Sequence, residues 1–374
     1  MFAAQAAVIV MTPVLSGAAA DLNVSTSVAG QLRTVAGLSA AVTALHVTRA
    51  ARSAGLGRLL LGASLLLGLA SLGSAAAPSF ALLALAQVPV RAAVALMTTA
   101  ATLAAAEWVP EEHRTRALSW TLVGQPAAWI VGMPLVGVLG GWSWRYGWLA
   151  LPLTASVAAA VLVAPRRHEP PASVAAVSAR AVLADGALTR WLASDLLANA
   201  AWAGTLVYAG ALFAESYATS SRANGFLLAL AAAAYVAGNL ASRRLVVPEP
   251  RRTLLAFSLV LAGVDVLFGL ARPGPATSAA LLAGTAIAAG GRTLVTASFA
   301  LGLPPEVRPA ATSLRAATMQ LGYFAGSLAG GAALALGGYG ALGATMGALF
   351  LGSAGVLASQ LGAVRPAGAS PAPR

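Results

Sequence analysis

The chain has 374 residues, of which 59% are hydrophobic and only 9% are charged, and its formal net charge is +12. Soluble domains usually carry about 25% charged residues, so a water-soluble fold is excluded and most of the surface must face lipid. The absence of cysteine excludes disulfide scaffolds, thiolate metal sites and cysteine nucleophiles.

Twelve apolar runs follow one another along the chain. A membrane-spanning helix needs about 20 mostly apolar residues, and the runs are apolar on all sides, unlike the short alternating strands of a membrane barrel. We therefore predict an all-α, polytopic membrane protein with twelve transmembrane helices. The predicted spans are 2–20, 26–47, 58–77, 80–106, 117–139, 146–164, 188–213, 221–241, 253–271, 276–300, 309–335 and 341–363.

Arginines in the loops predict the orientation, because short cytoplasmic loops carry an excess of basic residues. This pattern also indicates a topological role for the positive charge rather than nucleic-acid binding. One side of the predicted spans carries only Arg145, Arg222 and Arg272. The other side is predicted to be cytoplasmic, together with both termini, and it carries Arg49, Arg52, Arg58, Arg114, Arg116, Arg166, Arg167, Arg180, Arg190, Arg243, Arg244, Arg251, Arg252, Arg308, Arg365 and Arg374.

The longest polar stretch lies after the sixth predicted span and divides the chain into two halves of six spans. We predict an N-terminal six-helix bundle at 1–164, a cytoplasmic linker at 165–187, a C-terminal six-helix bundle at 188–364 and a cytoplasmic tail at 365–374.

The two halves repeat each other. When the chain is shifted by 194 positions, Asp21 falls on Glu215 and further features align without a gap. Two parallel six-span halves predict a binding site between them, near the middle of the bilayer. The other aligned pairs are Arg49 with Arg243, Arg58 with Arg252, Glu112 with Glu306, Arg114 with Arg308, Ser119 with Ser313, Trp129 with Tyr323, Gly132 with Gly326, and Gly137 with Gly331.

Three loop motifs accompany this repeat: Asp21-Leu-Asn-Val-Ser25, Pro110-Glu-Glu-His-Arg-Thr-Arg116 and Trp142-Ser-Trp-Arg145. With the two six-span halves, they resemble the major facilitator superfamily over essentially the whole chain, in particular its twelve-span drug and metabolite efflux branch. The resemblance implies two pseudo-symmetric six-helix bundles.

The fifth predicted span contains Gly132-Met-Pro134-Leu-Val-Gly137, which is similar to the Gly-Pro-x-x-Gly antiporter signature of this family. Gly132, Pro134 and Gly137 are therefore candidates for a conformational role. A plain packing seam is the alternative, because small residues let helices approach closely.

In the loop between spans two and three the family has Asp where this chain has Thr48, and the second copy has Ser242. The resemblance implies a cytoplasmic latch between the halves, and this chain lacks the Asp of that latch. The alternative is that the arginines serve topology alone. The gating candidates of this region are Arg49, Arg52, Glu112, Arg114, Arg243, Glu306 and Arg308.

Ionisable groups inside the membrane are costly and therefore indicate function. Arg91, midway through span four, matches the Arg of a family motif, and the resemblance implies a role in substrate binding or proton coupling. The alternative is a structural Arg bonded to helix carbonyls. Spans two to six contain acids only near their ends, so Arg91 lacks a buried carboxylate in its own half. Arg33 is expected to snorkel outward.

In span seven, the spacing of Trp191, Asp195, Asn199 and Trp202 puts them on one helix face, where they could hold a cation or a proton or form an interfacial anchor. Asp265 and Arg292 could pair or each face a cavity. Polar stripes in spans five and eleven could line a cavity or form interhelical hydrogen bonds. Their members are Thr121, Gln125 and Trp129, and Gln320, Tyr323 and Ser327.

These features favour a secondary transporter that moves a small molecule across the cytoplasmic membrane by alternating access, with export of a drug-like, amphipathic or metabolite compound as the first hypothesis. The expected partners are the substrate, protons as a candidate coupling ion and the lipid bilayer, and the chain is expected to be monomeric. Uptake or facilitated exchange of a sugar or amino acid, and a non-transporting sensor or scaffold, are the alternatives. No enzyme, cofactor, metal or nucleic-acid site is expected, because His46, His113 and His168 are scattered and no phosphate-binding loop occurs.

Overall fold

A computed structural model describes residues 1–166, 179–243, 250–304 and 307–361, and within these ranges the regular structure is helical. Short 3-10 turns occur at Glu111–His113 and Ala164–Arg166, and a π-helical segment occurs at Leu149–Leu153. The α-helices are α1 (Phe2–Ile9), α2 (Leu15–Asp21), α3 (Thr26–Gly30), α4 (Leu32–Ala54), α5 (Leu56–Ala76), α6 (Phe80–Glu107), α7 (Arg114–Gly140), α8 (Trp144–Trp148), α9 (Thr154–Val163), α10 (Ala179–Ala184), α11 (Gly186–Tyr217), α12 (Ser221–Ser242), α13 (Pro250–Leu270), α14 (Pro275–Leu301) and α15 (Arg308–Leu361).

Nine helical stretches of the described ranges are long and apolar enough to cross a membrane. One of them, Ala310–Ser359 in α15, has 50 residues, which is more than twice the length that a bilayer requires. The backbone of α15 leaves helical geometry at Gly337 and Gly338, and Gly338 has a φ of 65° that favours glycine. Helix α15 therefore contains the eleventh and twelfth predicted spans, and the prediction of an all-α polytopic membrane protein is confirmed.

The first predicted span is interrupted. Helix α1 ends at Ile9 and α2 begins at Leu15, with Pro13 between them. Proline has no backbone N–H and clashes with the preceding turn, so the amide of Thr12 bonds the carbonyl of Ile9 at 3.1 Å in a tighter turn. This break leaves the carbonyl of Val8 without the amide donor that a continuous helix would give it, which matters for the site described below.

The repeat of 194 positions is visible in the contacts at one end of the molecule. Asp21 accepts hydrogen bonds from Trp144 Nε1 at 3.0 Å and from Arg145. Its counterpart Glu215 accepts a hydrogen bond from Tyr339, at 2.8 Å, and Tyr339 lies 194 positions after Arg145. In each half, residues at equivalent positions therefore join the corresponding loops by hydrogen bonds. The division at 165–187 stays a prediction, because 167–178 lie outside the described residues.

The halves meet closely at this same end. A Cβ added at Gly137 of α7 would lie 2.9 Å from the Cα of Gly225 of α12, which is closer than real Cβ contacts. A Cβ at Gly331 of α15 would lie 1.9 Å from Nε2 of Gln31. Because Gly137 and Gly331 are repeat partners, as are Gln31 and Gly225, the two seams are pseudo-symmetric.

Hydrogen bonds cross between the halves near these seams. Thr26 donates to Glu215, Tyr208 donates to the carbonyl of Ser27 at 3.3 Å, and Gln31 donates to the carbonyl of Ser327 at 3.2 Å. We call this region, defined by Thr26, Gln31, Tyr208 and Glu215, the closed end. Between described residues of the two halves, the recorded hydrogen bonds all lie here.

Helix α11 is the most enclosed span. In its apolar stretch of 18 residues, 78% of the residues are buried, against 28–56% in the corresponding stretches of the other candidate spans of the described ranges. Its side chains Tyr208 and Phe213 are fully buried, and most of the surrounding core consists of alanine, leucine and valine. Polar groups that α11 carries at midlength are therefore held inside protein rather than against lipid.

Candidate functional site

A pocket lies between α1, α4 and α6, with Val207 of α11 on its wall. Arg33, Gln87 and Arg91 line it together with Thr12 and apolar residues of α1. Eleven of its twelve lining residues belong to the N-terminal half and Val207 is the one from the C-terminal half, so the predicted location of the site between the halves stays a prediction.

Arg91 lines this pocket from the middle of α6. The helix begins at a serine cap, with Ser79 accepting from the amide of Leu82 at 3.4 Å, and it runs on without a break through Pro89. Arg91 is 8% exposed, and its Nε has no hydrogen-bond partner. Within the described part of the chain it forms no ion pair and no hydrogen bond to a helix carbonyl, so the contacts that the structural alternative requires are not present there.

Arg33 points into the pocket. Its Nη1 donates to the carbonyl of Val8 at 3.1 Å, and its guanidinium carbon lies 5.9 Å from the ring centroid of Tyr323. The expectation that Arg33 snorkels outward is therefore wrong. The physical reason is the break at Pro13, which leaves the Val8 carbonyl in need of a donor inside the protein.

A second polar cluster lies in the C-terminal half. Asp195 of α11 pairs with Arg292 of α14 at 3.2 Å and with Arg315 of α15 at 3.3 Å, and its side chain is 2% exposed. Arg292 also donates to Ser194, Ser258 and Ser353 at 3.2 Å. Helices α11, α13, α14 and α15 thus meet in this cluster, and Asp195 is a buried partner of two arginines rather than an interfacial anchor.

Asp265 lies apart from this cluster. Its Oδ2 accepts from Thr205 at 2.8 Å, and it is 1% exposed. The suggested pair of Asp265 with Arg292 is therefore wrong, because Asp195 occupies the guanidinium of Arg292. The spacing of residues in the sequence could not show which of these two inward-facing acids pairs with Arg292.

Tyr323 lies between the pocket and the C-terminal cluster. Its ring faces Arg33, and it is close enough for electrostatic interaction with Arg33, Arg91, Asp195 and Arg315. The four groups come from both halves of the chain. The prediction that Tyr323 contributes to a site between the halves stays a prediction, and this geometry supports it.

The other predicted site residues are spread along the same spans. Asn199 donates to the carbonyl of Asp195 at 2.7 Å, so its amide bonds its own helix. Trp202 stacks on Tyr235 at 5.9 Å, and Trp129 donates to Gln5 at 3.3 Å. Gln320 is half-buried, whereas Gln125 is exposed and forms no side-chain hydrogen bond with another described residue.

The gating candidates on the fifth span take part in packing. A Cβ at Gly132 would lie 2.4 Å from Ile9 of α1, and Gly137 forms the seam with α12. Pro134 lies inside α7, which stays continuous. These contacts agree with a packing seam, and a special antiport role is not tested by them.

At the opposite end of the molecule, Glu112, Arg114 and Arg243 are exposed, and no salt bridge joins them to one another. Arg308 donates from Nε and Nη2 to the carbonyl of Leu303, at 3.1 and 2.9 Å, and so fastens its own loop. Glu306 and the side chains of Arg49 and Arg52 lie outside the described residues, so the predicted latch stays a prediction.

Three residues of the site were not identified from the sequence. Arg315 holds Asp195 from α15, Gln87 lines the pocket, and Tyr208 joins the halves at the closed end. The signal for Arg315 was its position inside an apolar run, which marks a charge as functional. Gln87 and Tyr208 carried no such signal. The described residues contain no group of three or more His, Asp or Glu side chains that could hold a metal ion.

The chain matches the family model described as Major Facilitator Superfamily over residues 1–289. It is 33% identical, over 153 residues, to a chloramphenicol efflux pump from two strains of Mycobacterium tuberculosis. That match covers 41% of this chain and 36% of the pump, so the chain matches about a third of the length of these relatives.

Solved transporter structures resemble the whole chain. A bacterial homologue of the human lysosomal transporter Spinster, in an inward-facing and unoccupied conformation, has a TM-score of 0.76 at 14% identity, with 96% of this chain and 92% of that chain covered. A nucleoside transporter has a TM-score of 0.76 at 13% identity, with 97% and 96% covered. A D-xylose–proton symporter has a TM-score of 0.72 at 14% identity, with 95% of each covered. These likenesses show the fold.

Proposed function

This chain belongs to the major facilitator superfamily, and we propose that it is a secondary transporter that exports a small amphipathic compound across the cytoplasmic membrane by alternating access. The observation that carries the proposal is the polar site between two pseudo-symmetric halves, which are bonded to each other at only one end among the described residues. Such a site can be exposed to one side of the membrane at a time when the halves rock against each other.

The closed end supports one assignment of the conformation. It lies on the side of Arg145, Arg222 and Arg272, which the loop charges predict to be external. With that orientation, the structure is closed to the outside, and the site would exchange substrate with the cytoplasm. Opening requires that the helices separate at the seam of Gly137 and Gly225. The hydrogen bonds of Glu215 and Tyr208 between the halves must break at the same time.

Export is favoured over uptake by the partial sequence similarity to a chloramphenicol efflux pump. The sugar and nucleoside transporters resemble this chain in fold alone, so they do not favour uptake of those compounds. Family membership also supports transport over catalysis and over a scaffold role.

Proton coupling is a separate part of the proposal. The membrane-buried acids among the described residues are Asp195 and Asp265, both in the C-terminal half. Asp195 is the stronger candidate for coupling, because Arg315 and Tyr323 connect it to the pocket of the other half. Protonation of Asp195 would release its two arginines, which is a direct way to link a proton to the packing of α11, α14 and α15.

The test is transport by the purified full-length protein in liposomes with an imposed pH gradient, with chloramphenicol and a set of aromatic amphipathic compounds as probes. We expect movement of at least one probe, and loss of movement in Arg91→Ala. The control is Leu69→Ala, which removes a side chain that is 69% exposed on α5.

Two outcomes decide the proposal. The transporter assignment is refuted if no probe moves in the liposomes and if cells that overproduce the Arg91→Ala variant tolerate the probes as well as cells that overproduce the unmodified protein. Equal flux with and without the gradient would refute coupling to protons and leave a facilitator.

A further inference from the structure

Two guanidinium groups, that of buried Arg91 and that of half-buried Arg33, share one pocket without a carboxylate. Arg33 and Arg91 both line the space between α1, α4 and α6, and the Nε of each has no hydrogen-bond partner. The two groups are close enough to repel each other electrostatically. Arg91 makes no hydrogen bond with any other described residue, and the one recorded hydrogen bond of Arg33 goes to the Val8 carbonyl.

The acids of the N-terminal spans lie too far away to neutralise this pair. Asp21 is held by Trp144 and Arg145 at the closed end. Glu107, at the C-terminal end of α6, follows Arg91 by 16 residues, which corresponds to about 24 Å at 1.5 Å per residue. Across the halves, Asp195 already pairs with Arg292 and Arg315.

The groups that face the pair from the neighbouring helices are neutral. Helix α1 presents the Val8 carbonyl, and the turn between α1 and α2 presents Thr12. Helix α6 presents Gln87, and α15 presents the phenol of Tyr323. A charge buried at membrane depth is costly unless it is paired, and two like charges add mutual repulsion. A negatively charged ligand would remove both costs at once.

Guanidinium groups also fit such a ligand in geometry. Each presents a planar fork of N–H donors that matches the two oxygens of a carboxylate or phosphate. The apolar part of the wall, which includes Val8 and Val207, can pack against a hydrocarbon body attached to that group.

We propose that Arg33 and Arg91 form a binding site for the oxyanion group of the cargo, so that the transported compound is an organic anion such as an aromatic carboxylate. This inference rests on the proposed function and names its substrate class. Tyr323, whose ring faces Arg33 from the other half, lets the occupied pocket act on the interface between the halves.

The test measures binding, so that it does not depend on transport. Purified full-length protein in detergent is titrated with benzoate, with inorganic phosphate, and with the neutral analogue benzamide, and ligand binding is read as an increase in the thermal unfolding temperature. We expect benzoate to stabilise the protein and benzamide to have no effect at the same concentration. Phosphate distinguishes a site for any oxyanion from one that also requires the aromatic body.

Variants locate the site. We expect Arg91→Gln and Arg33→Gln each to weaken benzoate binding by roughly 10- to 100-fold, the loss expected for one charged hydrogen-bonding partner. Arg91→Lys keeps the charge and should retain part of the affinity. Arg222→Gln is the matched control, because Arg222 is an exposed arginine at the start of α12, outside the pocket.

A measurement on the unmodified protein covers the case in which a variant does not fold. Phenylglyoxal modifies arginine, and mass spectrometry reads the extent of modification at each position. Benzoate should protect Arg33 and Arg91 and leave Arg222 unprotected.

The inference is overturned if benzamide binds as well as benzoate, if neither anion binds, or if benzoate fails to protect the two arginines. Binding of benzoate without any transport would refute the proposed function and support this site. Export of a neutral probe that is unchanged in Arg91→Gln would refute the site and support transport.

Discussion

Replacement of Gly137 by alanine should open the end of the molecule at which α7 touches α12. The new Cβ would lie 2.5 Å from the carbonyl oxygen of Ser221 and 2.9 Å from the Cα of Gly225. Both contacts are to backbone atoms, so the helices themselves must move apart. Overpacking of this kind costs about 1–3 kcal/mol, and a cost confined to the closed state would shift its population by roughly 5- to 150-fold.

Distances between spin labels measure this shift. The chain has no cysteine, so Ala20→Cys and Ser216→Cys place a single pair of labels at exposed positions on either side of the closed end. We expect a longer mean distance in Gly137→Ala, or a second population at longer distance. Gly62→Ala is the matched control, because a Cβ at Gly62 of α5 meets nothing within 4 Å.

One result would refute this reasoning. If Gly137→Ala has the same distance distribution and thermal stability as Gly62→Ala, the close approach of α7 and α12 does not hold the end closed. The same outcome would weaken the idea that the glycine-rich segment of the fifth span serves as a packing seam.

Three further predictions concern the charged groups and the break in α15. Asp195→Asn leaves the guanidinium of Arg292 buried without its counter-charge, and we expect the free energy of unfolding to fall by roughly 3–5 kcal/mol, as measured by chemical denaturation. The double variant with Arg292→Gln should recover part of this stability. The hydrogen bond from Arg145 lowers the pKa of Asp21, so the stabilisation from this bond is fully present above the ordinary value of about 3.9 and is lost as the pH falls through the lowered pKa. In Asp21→Asn, the unfolding temperature should therefore depend less on pH in this acidic range. A pH profile of the unfolding temperature that is the same as in the unmodified protein would contradict the assignment. Gly338→Ala places a side chain at a φ of 65° and should lower stability by about 1–2 kcal/mol, and an unchanged unfolding temperature would mean that the turn between the last two spans relaxes freely.

Much of the architecture could be predicted from the sequence because it depends on composition and periodicity. A bilayer requires long apolar helices with satisfied backbone groups, so the apolar runs mark the spans without knowledge of their contacts. The shift of 194 positions predicted the parallel halves, and the repeated pairs Asp21 with Arg145 and Glu215 with Tyr339 show the same shift in three dimensions. The π-helical segment at Leu149–Leu153 and the interruption of the first span were not predicted, because they depend on local backbone geometry.

The site could be predicted only in part. Arg91 and Asp195 were identified because each is a charge at membrane depth, and that cost is the same in any arrangement of helices. Their partners were not predictable. The assignment of Arg292 to Asp195 rather than Asp265 depends on which faces of α11, α13 and α14 meet, and the sequence does not contain this information.

The sequence by itself determined that this protein lies in a membrane, that its fold consists of two repeated six-helix halves, and that a few charges in its spans require an explanation. These features follow from the free energy of placing each residue in lipid or water, which is a property of one segment at a time. The tertiary structure decided that Arg33 turns inward to the Val8 carbonyl, that Asp195 is shared by two arginines, and that Arg33 and Arg91 face one pocket without a carboxylate. These features depend on contacts between segments far apart in the chain, and packing alone brings such segments together.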